Sequence, residues 1–196
     1  MLLEQNCLFI REHVALMKLT DTYDILSPGS GAVIGIAREE PQEWMKLLRL
    51  FVSKTLLPTT INVYETEGMS PVLTINRSFS FLRSEVTITG PNRESYGRLK
   101  RKLLTLGGGF IVYDANGMQV ADVQGDWTGW NFEFTGTGGR QLGRVTKEWS
   151  GIGRELFTSA DSYMVWLNEY GTVDPRMAGL LLATALSIDI IYKERR

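Results

Sequence analysis

The chain has 196 residues, with 21 Lys and Arg against 22 Asp and Glu, for a formal net charge of −1. A composition of 43% hydrophobic and 22% charged residues supports one domain with a sizeable core, and the near-zero charge argues against nucleic acid as its main partner. One cysteine, Cys7, and one histidine, His13, exclude an intrachain disulfide and leave too few ligands for structural zinc.

Residues 1–12 read as an N-terminal arm of a single domain spanning 1–196. They lack the basic region and long apolar stretch of a signal peptide, so a cytoplasmic location is expected. Alternating strands then recur along most of the chain, joined by turns rich in Gly, Asp, Asn and Pro. The first is predicted at His13–Leu19. A hairpin follows from Tyr23–Leu26 through Ser27-Pro28-Gly29-Ser30-Gly31 to Ala32–Arg38.

Residues Pro41–Leu57 break the alternation. Trp44, Leu47, Leu48 and Phe51 fall on one side and Glu43, Lys46, Arg49 and Ser53 on the other, the spacing of an amphipathic helix opened by proline and inserted between strands three and four.

Hairpins resume at Ile61–Tyr64 with Val72–Ile75, at Val86–Ile88 before Gly90-Pro91-Asn92, at Phe110–Tyr113 before Asn116-Gly117, and at Phe132–Phe134 before Gly136–Gly139. Asn116-Gly117 is the clearest turn, since a type I′ turn needs positive φ at both central residues. With Tyr163–Leu167 the count reaches about twelve strands.

The second exception spans 174–194. Asp174 caps a helix with Pro175 at its first position, and the residues from Met177 are apolar all round until Asp189. The uninterrupted run from Met177 to Ile188 is twelve residues, whereas a membrane span needs about twenty. Asp189 near a bilayer centre would cost about 2.5–3.5 kcal/mol, so burial in a core is favoured over single-pass insertion. Such a helix is about 30 Å long and about 10 Å wide, dimensions that suit the lumen of a twelve-stranded barrel. The expected fold is therefore mainly β: a closed twelve-stranded antiparallel β-barrel around a central hydrophobic C-terminal α-helix.

Three stretches resemble the phospholipid scramblase family: Gly125-Asp126-Trp127-Thr128-Gly129-Trp130-Asn131-Phe132, Gly143-Arg144-Val145-Thr146-Lys147-Glu148-Trp149, and Glu155-Leu156-Phe157-Thr158-Ser159-Ala160-Asp161-Ser162-Tyr163. The likeness runs from about Asp21 to Glu194. It implies a tubby C-terminal-like fold, shared with plant LURP-one-related proteins. It also implies calcium-stimulated movement of phospholipid between leaflets, or phosphoinositide headgroup binding of the tubby kind. The chain departs from the family in two ways. It lacks a proline-rich arm and a palmitoylated cysteine cluster, and Ser159 stands at the acidic first position of the calcium loop. Asp161 is the candidate calcium ligand that remains, in a loop with few hard oxygen donors.

Two surfaces are candidates for binding anionic phospholipid membranes. The stretch 93–102 sets Arg93, Arg98, Lys100, Arg101 and Lys102 against Glu94. On a strand, Arg98, Lys100 and Lys102 share one face at about 6–7 Å spacing, a ladder able to meet several phosphates or simply a solvated wall. The helix at 41–57 offers Trp44, Leu47, Leu48 and Phe51 with Lys46 and Arg49, which suits a membrane interface. The more ordinary reading of such a stripe is packing on the barrel wall or across its mouth. No hydrolytic, redox or transferase motif is present, and Asp114, Asp122, Asp126 and Asp161 show no acid/base spacing. No cofactor is required on this reading. The alternative is a tubby-like adaptor that binds lipid headgroups or a protein partner without scrambling.

Overall fold

The computed structural model describes residues 1–13, 20–41, 43–48, 51–52, 57–65, 70–78, 85–102, 108–126, 128–147, 162–167 and 174–193. Among these described residues there are twelve strands: β1 (Cys7–Glu12), β2 (Thr22–Leu26), β3 (Val33–Glu39), β4 (Thr59–Tyr64), β5 (Leu73–Arg77), β6 (Glu85–Thr89), β7 (Ser95–Arg101), β8 (Gly109–Asp114), β9 (Gln119–Asp126), β10 (Asn131–Gly136), β11 (Gln141–Thr146) and β12 (Ser162–Trp166). Each pairs antiparallel with its sequence neighbour, and β1 pairs with β12 from Cys7↔Trp166 to Arg11↔Ser162, which closes the barrel. Closure leaves no strand edge unpaired.

The period-two pattern is clear on β4 and β5. Ile61, Val63, Leu73 and Ile75 point inward and are buried, while Thr60, Asn62, Thr74 and Asn76 lie on the outer face. The β8–β9 turn forms where expected but not as type I′: Gly117 takes φ of 80° while Asn116 keeps a negative φ, and the Asp114 carbonyl accepts the Gly117 N–H at 3.1 Å, closing the turn over 114–117.

The lumen holds α2 (Pro175–Lys193). Every residue from Ala178 to Ile191 is buried, in one core cluster with inward side chains of strands from all around the barrel. The hydroxyls of Thr184 and Ser187 are satisfied within the helix, Thr184 Oγ1 donating to the Leu180 carbonyl and Ser187 Oγ to that of Ala183, both at 2.7 Å. Leu2, in a short helical turn at Leu2–Glu4, is buried near the N-terminal end of α2. At the other end, Ile190 and Ile191 meet Thr59, Arg77 and Val86 around a cavity of about 10 Å³.

One expectation is corrected. The first strand lies at Cys7–Glu12, so these residues belong to the barrel wall rather than to a free arm, and residues 14–19 of the strand predicted at His13–Leu19 lie outside the described residues. The reason is a second apolar cluster on the outside: Phe9 of β1 packs with Leu26 and Met164, beside Cys7 and Trp166, so β1 is buried on both faces and does not alternate. Of the helix predicted over 41–57, the described residues contain α1 (Glu43–Leu48), followed by a turn in which Phe51 and Val52 both donate to the Leu48 carbonyl. The backbone of residues 42, 49–50 and 53–56 lies outside the described residues.

Because α2 is the barrel's filling, its packing should dominate stability. Leu186→Ala removes a fully buried side chain and is expected to cost about 2–5 kcal/mol. A Cβ on Gly179 would already lie 3.1 Å from the Tyr96 ring and 3.3 Å from Leu73, so Gly179→Leu is expected to cost about 1–3 kcal/mol by overpacking. Urea denaturation measures both. Stabilities within about 0.5 kcal/mol of wild type would contradict a lumen helix.

Candidate functional site

The connection that carries α1 is fastened at both ends. At its start, the Glu40 carboxylate accepts Asn62 Nδ2 at 2.7 Å and the Tyr64 hydroxyl at 2.9 Å. Burial, chiefly, and this carboxylate push the Tyr64 hydroxyl above its usual range. At its end, Leu57 is buried and its carbonyl accepts Arg77 Nη2 at 3.3 Å, while Thr59 Oγ1 accepts the same nitrogen at 3.0 Å. Between these anchors, Met45 turns inward and is 5% exposed. Trp44, Leu48 and Phe51 face outward, at 57%, 37% and 87% exposure. Among the described side chains of this connection, Met45 is thus taken into the protein, while Trp44, Leu48 and Phe51 meet solvent. The side chains of Lys46 and Leu47, and all of Arg49, lie outside the described residues.

The cation ladder is divided. Arg98 and Lys100 sit on β7, and Lys102 follows its last residue. Lys102 Nζ lies 2.5 Å and 2.6 Å from the two carboxylate oxygens of Asp122 and is 16% exposed, so its charge is spent within the wall. Arg98 and Lys100 instead share Tyr113 of the neighbouring strand, Arg98 Cζ and Lys100 Nζ each lying 5.3 Å from its ring centroid. Glu85 reaches Arg98 Nη1 at 3.4 Å. Sequence reading missed Tyr113, Glu85 and Asp122, because each meets the ladder only through cross-strand register. The structure does not bring the ladder and α1 onto one wall: β4, β5 and β6 stand between them.

Of the carboxylates considered for acid/base work, Asp114, Asp122 and Asp126 make structural contacts. Asp114 accepts the N–H groups of Asn116 and Met118 at 2.9 and 2.8 Å. Asp126 accepts those of Thr128 and Gly129 at 2.8 and 3.1 Å, and the Thr128 backbone bond chiefly holds it below the usual carboxylate range. This turn carries Trp130 at φ of 53°, buried edge-on against Phe132 and Tyr163 with the Lys147 ammonium 4.7 Å from its ring centroid. Trp127 and Asp161 lie outside the described residues. Asp189 lies buried near Tyr23 and Tyr163, and burial, helped by its charge, pushes both hydroxyls well above their usual range.

A family model described as Scramblase matches residues 12–195. The chain belongs to the Scramblase family. No curated protein and no solved structure has a detectable match to it. Among the described residues of this scramblase-family chain, no helix is long and apolar enough to cross a membrane, and no group of three or more His, Cys, Asp or Glu side chains gathers where a metal ion could be held.

On the outer faces of β1 and β2, Asp24 is gripped by Arg11 Nη2 and His13 Nε2, each at 2.7 Å. Burial raises the Asp24 carboxyl, but the hydrogen bonds and charges of Arg11 and His13 outweigh it, leaving the group below its ordinary value. A folded-state value below the unfolded one contributes stability above about pH 4 that is lost as the pH falls. Asp24→Asn is expected to lower stability by about 1–2 kcal/mol at pH 7 and to flatten the loss between about pH 5 and 3, followed by urea denaturation across pH. A variant that kept the wild-type pH dependence would contradict this role.

Proposed function

We propose that this scramblase-family protein binds anionic phospholipid membranes peripherally and promotes movement of phospholipid between leaflets. The observation that carries the reading is the outward-facing trio of Trp44 and Leu48 on α1 and Phe51 in the turn after it, in a connection fastened by Glu40 and Leu57. Three large apolar side chains held in water are a standing cost that a bilayer interface removes, and tryptophan suits the headgroup region. Lys46 and Arg49, interleaved with them in sequence, add attraction to anionic lipid.

The enclosed α2 supports peripheral rather than single-pass association, because withdrawing it would expose the whole core, against a domain stability of about 5–15 kcal/mol. The closed barrel around a helix also supports a tubby C-terminal-like relationship. Calcium through Asp161 belongs to the same reading only as an accessory, since that loop carries few other hard oxygen ligands in sequence.

Co-sedimentation with neutral and anionic vesicles, with calcium or a chelator, tests the binding; a dithionite leaflet assay on the same vesicles tests the flipping. Wild type is expected to bind anionic vesicles and accelerate flipping. Trp44→Ala with Phe51→Ala should weaken binding at least tenfold without loss of folding, since burying each large apolar side chain is worth about 1.5–3 kcal/mol. Binding without flipping is the behaviour of a headgroup-reading adaptor. Failure to bind any vesicle would overturn the membrane reading and favour a protein partner.

A further inference from the structure

We propose that Arg98 and Lys100, held together against Tyr113, form a binding site for the phosphate of an anionic phospholipid headgroup. The inference rests on the membrane reading above and adds a site on a different wall from α1. Three cations stand in this ladder by sequence, and the structure separates them by chemistry. Lys102 is neutralised by both oxygens of Asp122. Arg98 and Lys100 are instead held by a ring, and an aromatic face orients a cation without cancelling its charge.

The acid paired with Arg98 among the described residues is a weak competitor. Glu85 meets Arg98 at 3.4 Å with both side chains about 40% exposed, an ion pair of little net strength that phosphate oxygens can replace. Two positive charges over one ring also repel each other, and an anion between them relieves that repulsion. The surroundings favour an amphiphile over a bare anion. A Cβ on Gly117 would lie 3.7 Å from Arg98 Nη2, so the guanidinium reaches the β8–β9 turn, whose Met118 is 68% exposed.

The test compares phosphatidylserine vesicles, phosphatidylcholine vesicles and inorganic phosphate, using the full chain. Arg98→Gln with Lys100→Gln is expected to lower the partition coefficient on phosphatidylserine at least tenfold and leave that on phosphatidylcholine unchanged. Lys102→Gln should change either by less than about twofold, and Glu85→Gln should strengthen phosphatidylserine binding, because it releases Arg98. An unchanged double variant, or an equal loss with Lys102→Gln, would overturn the proposal. Competition by inorganic phosphate as effective as that of the lipid would identify the ligand as free phosphate and overturn the lipid assignment. If wild type bound no vesicle, the membrane reading would fail, and the Tyr113 ring resonances in added phosphate would decide the site alone. Unmoved resonances would end the proposal. Far-UV circular dichroism and thermal midpoints check that each variant folds.

Discussion

A nineteen-residue helix without a polar face cannot rest on a protein surface; in water it needs a partner on every side. Here a closed ring of twelve strands supplies that partner, and the dependence runs both ways, because a barrel this wide needs filling from within. The small residues Ala178, Gly179, Ala183 and Ala185 let the helix approach the inward leucines, isoleucines and aromatics of the wall. Buried polar atoms are accommodated locally: Thr184 and Ser187 bond back into the helix, and Asp189 sits near the end of the lumen beside two tyrosines.

That enclosure shapes where function can reside. With α2 committed to the core, the proposed membrane contacts fall to the outside of the barrel. The β3–β4 connection presents Trp44, Leu48 and Phe51, and the β7–β8 wall presents Arg98 and Lys100 over Tyr113. One patch offers apolar insertion and the other charge, and three strands separate them. A protein built this way can meet a bilayer without unfolding its core.

Much of the architecture was legible in the sequence because the controlling signals are local. Alternation along Ile61–Val63 and Leu73–Ile75, the Asn116-Gly117 turn, and the Asp174-Pro175 start of α2 each act over a few residues, and the twelve strands and the terminal helix follow from them. Where burial came from a second direction, the signal failed. Phe9 on the outer face of β1 is covered by Leu26 and Met164, so Cys7–Glu12 reads as an apolar run and not as an alternating strand. The sites were less legible for the same physical reason. An amphipathic stripe states its own shape but not which side the protein covers, and among the described side chains Met45, outside the stripe, is buried while Trp44, Leu48 and Phe51 are exposed. The ladder's division between Asp122 and Tyr113 depends on the registers of β8 with β7 and β9, which no single strand encodes.

Hydrogen–deuterium exchange with and without anionic vesicles tests the central claim most directly, since it follows the core helix and the membrane contact in one experiment. The account predicts that the amides of residues 178–191 remain the slowest to exchange in both conditions, while those of 43–48 slow when vesicles are added. Loss of protection along 178–191 on vesicles would mean that the helix leaves the barrel, and would contradict an enclosed core acting through its outer surface.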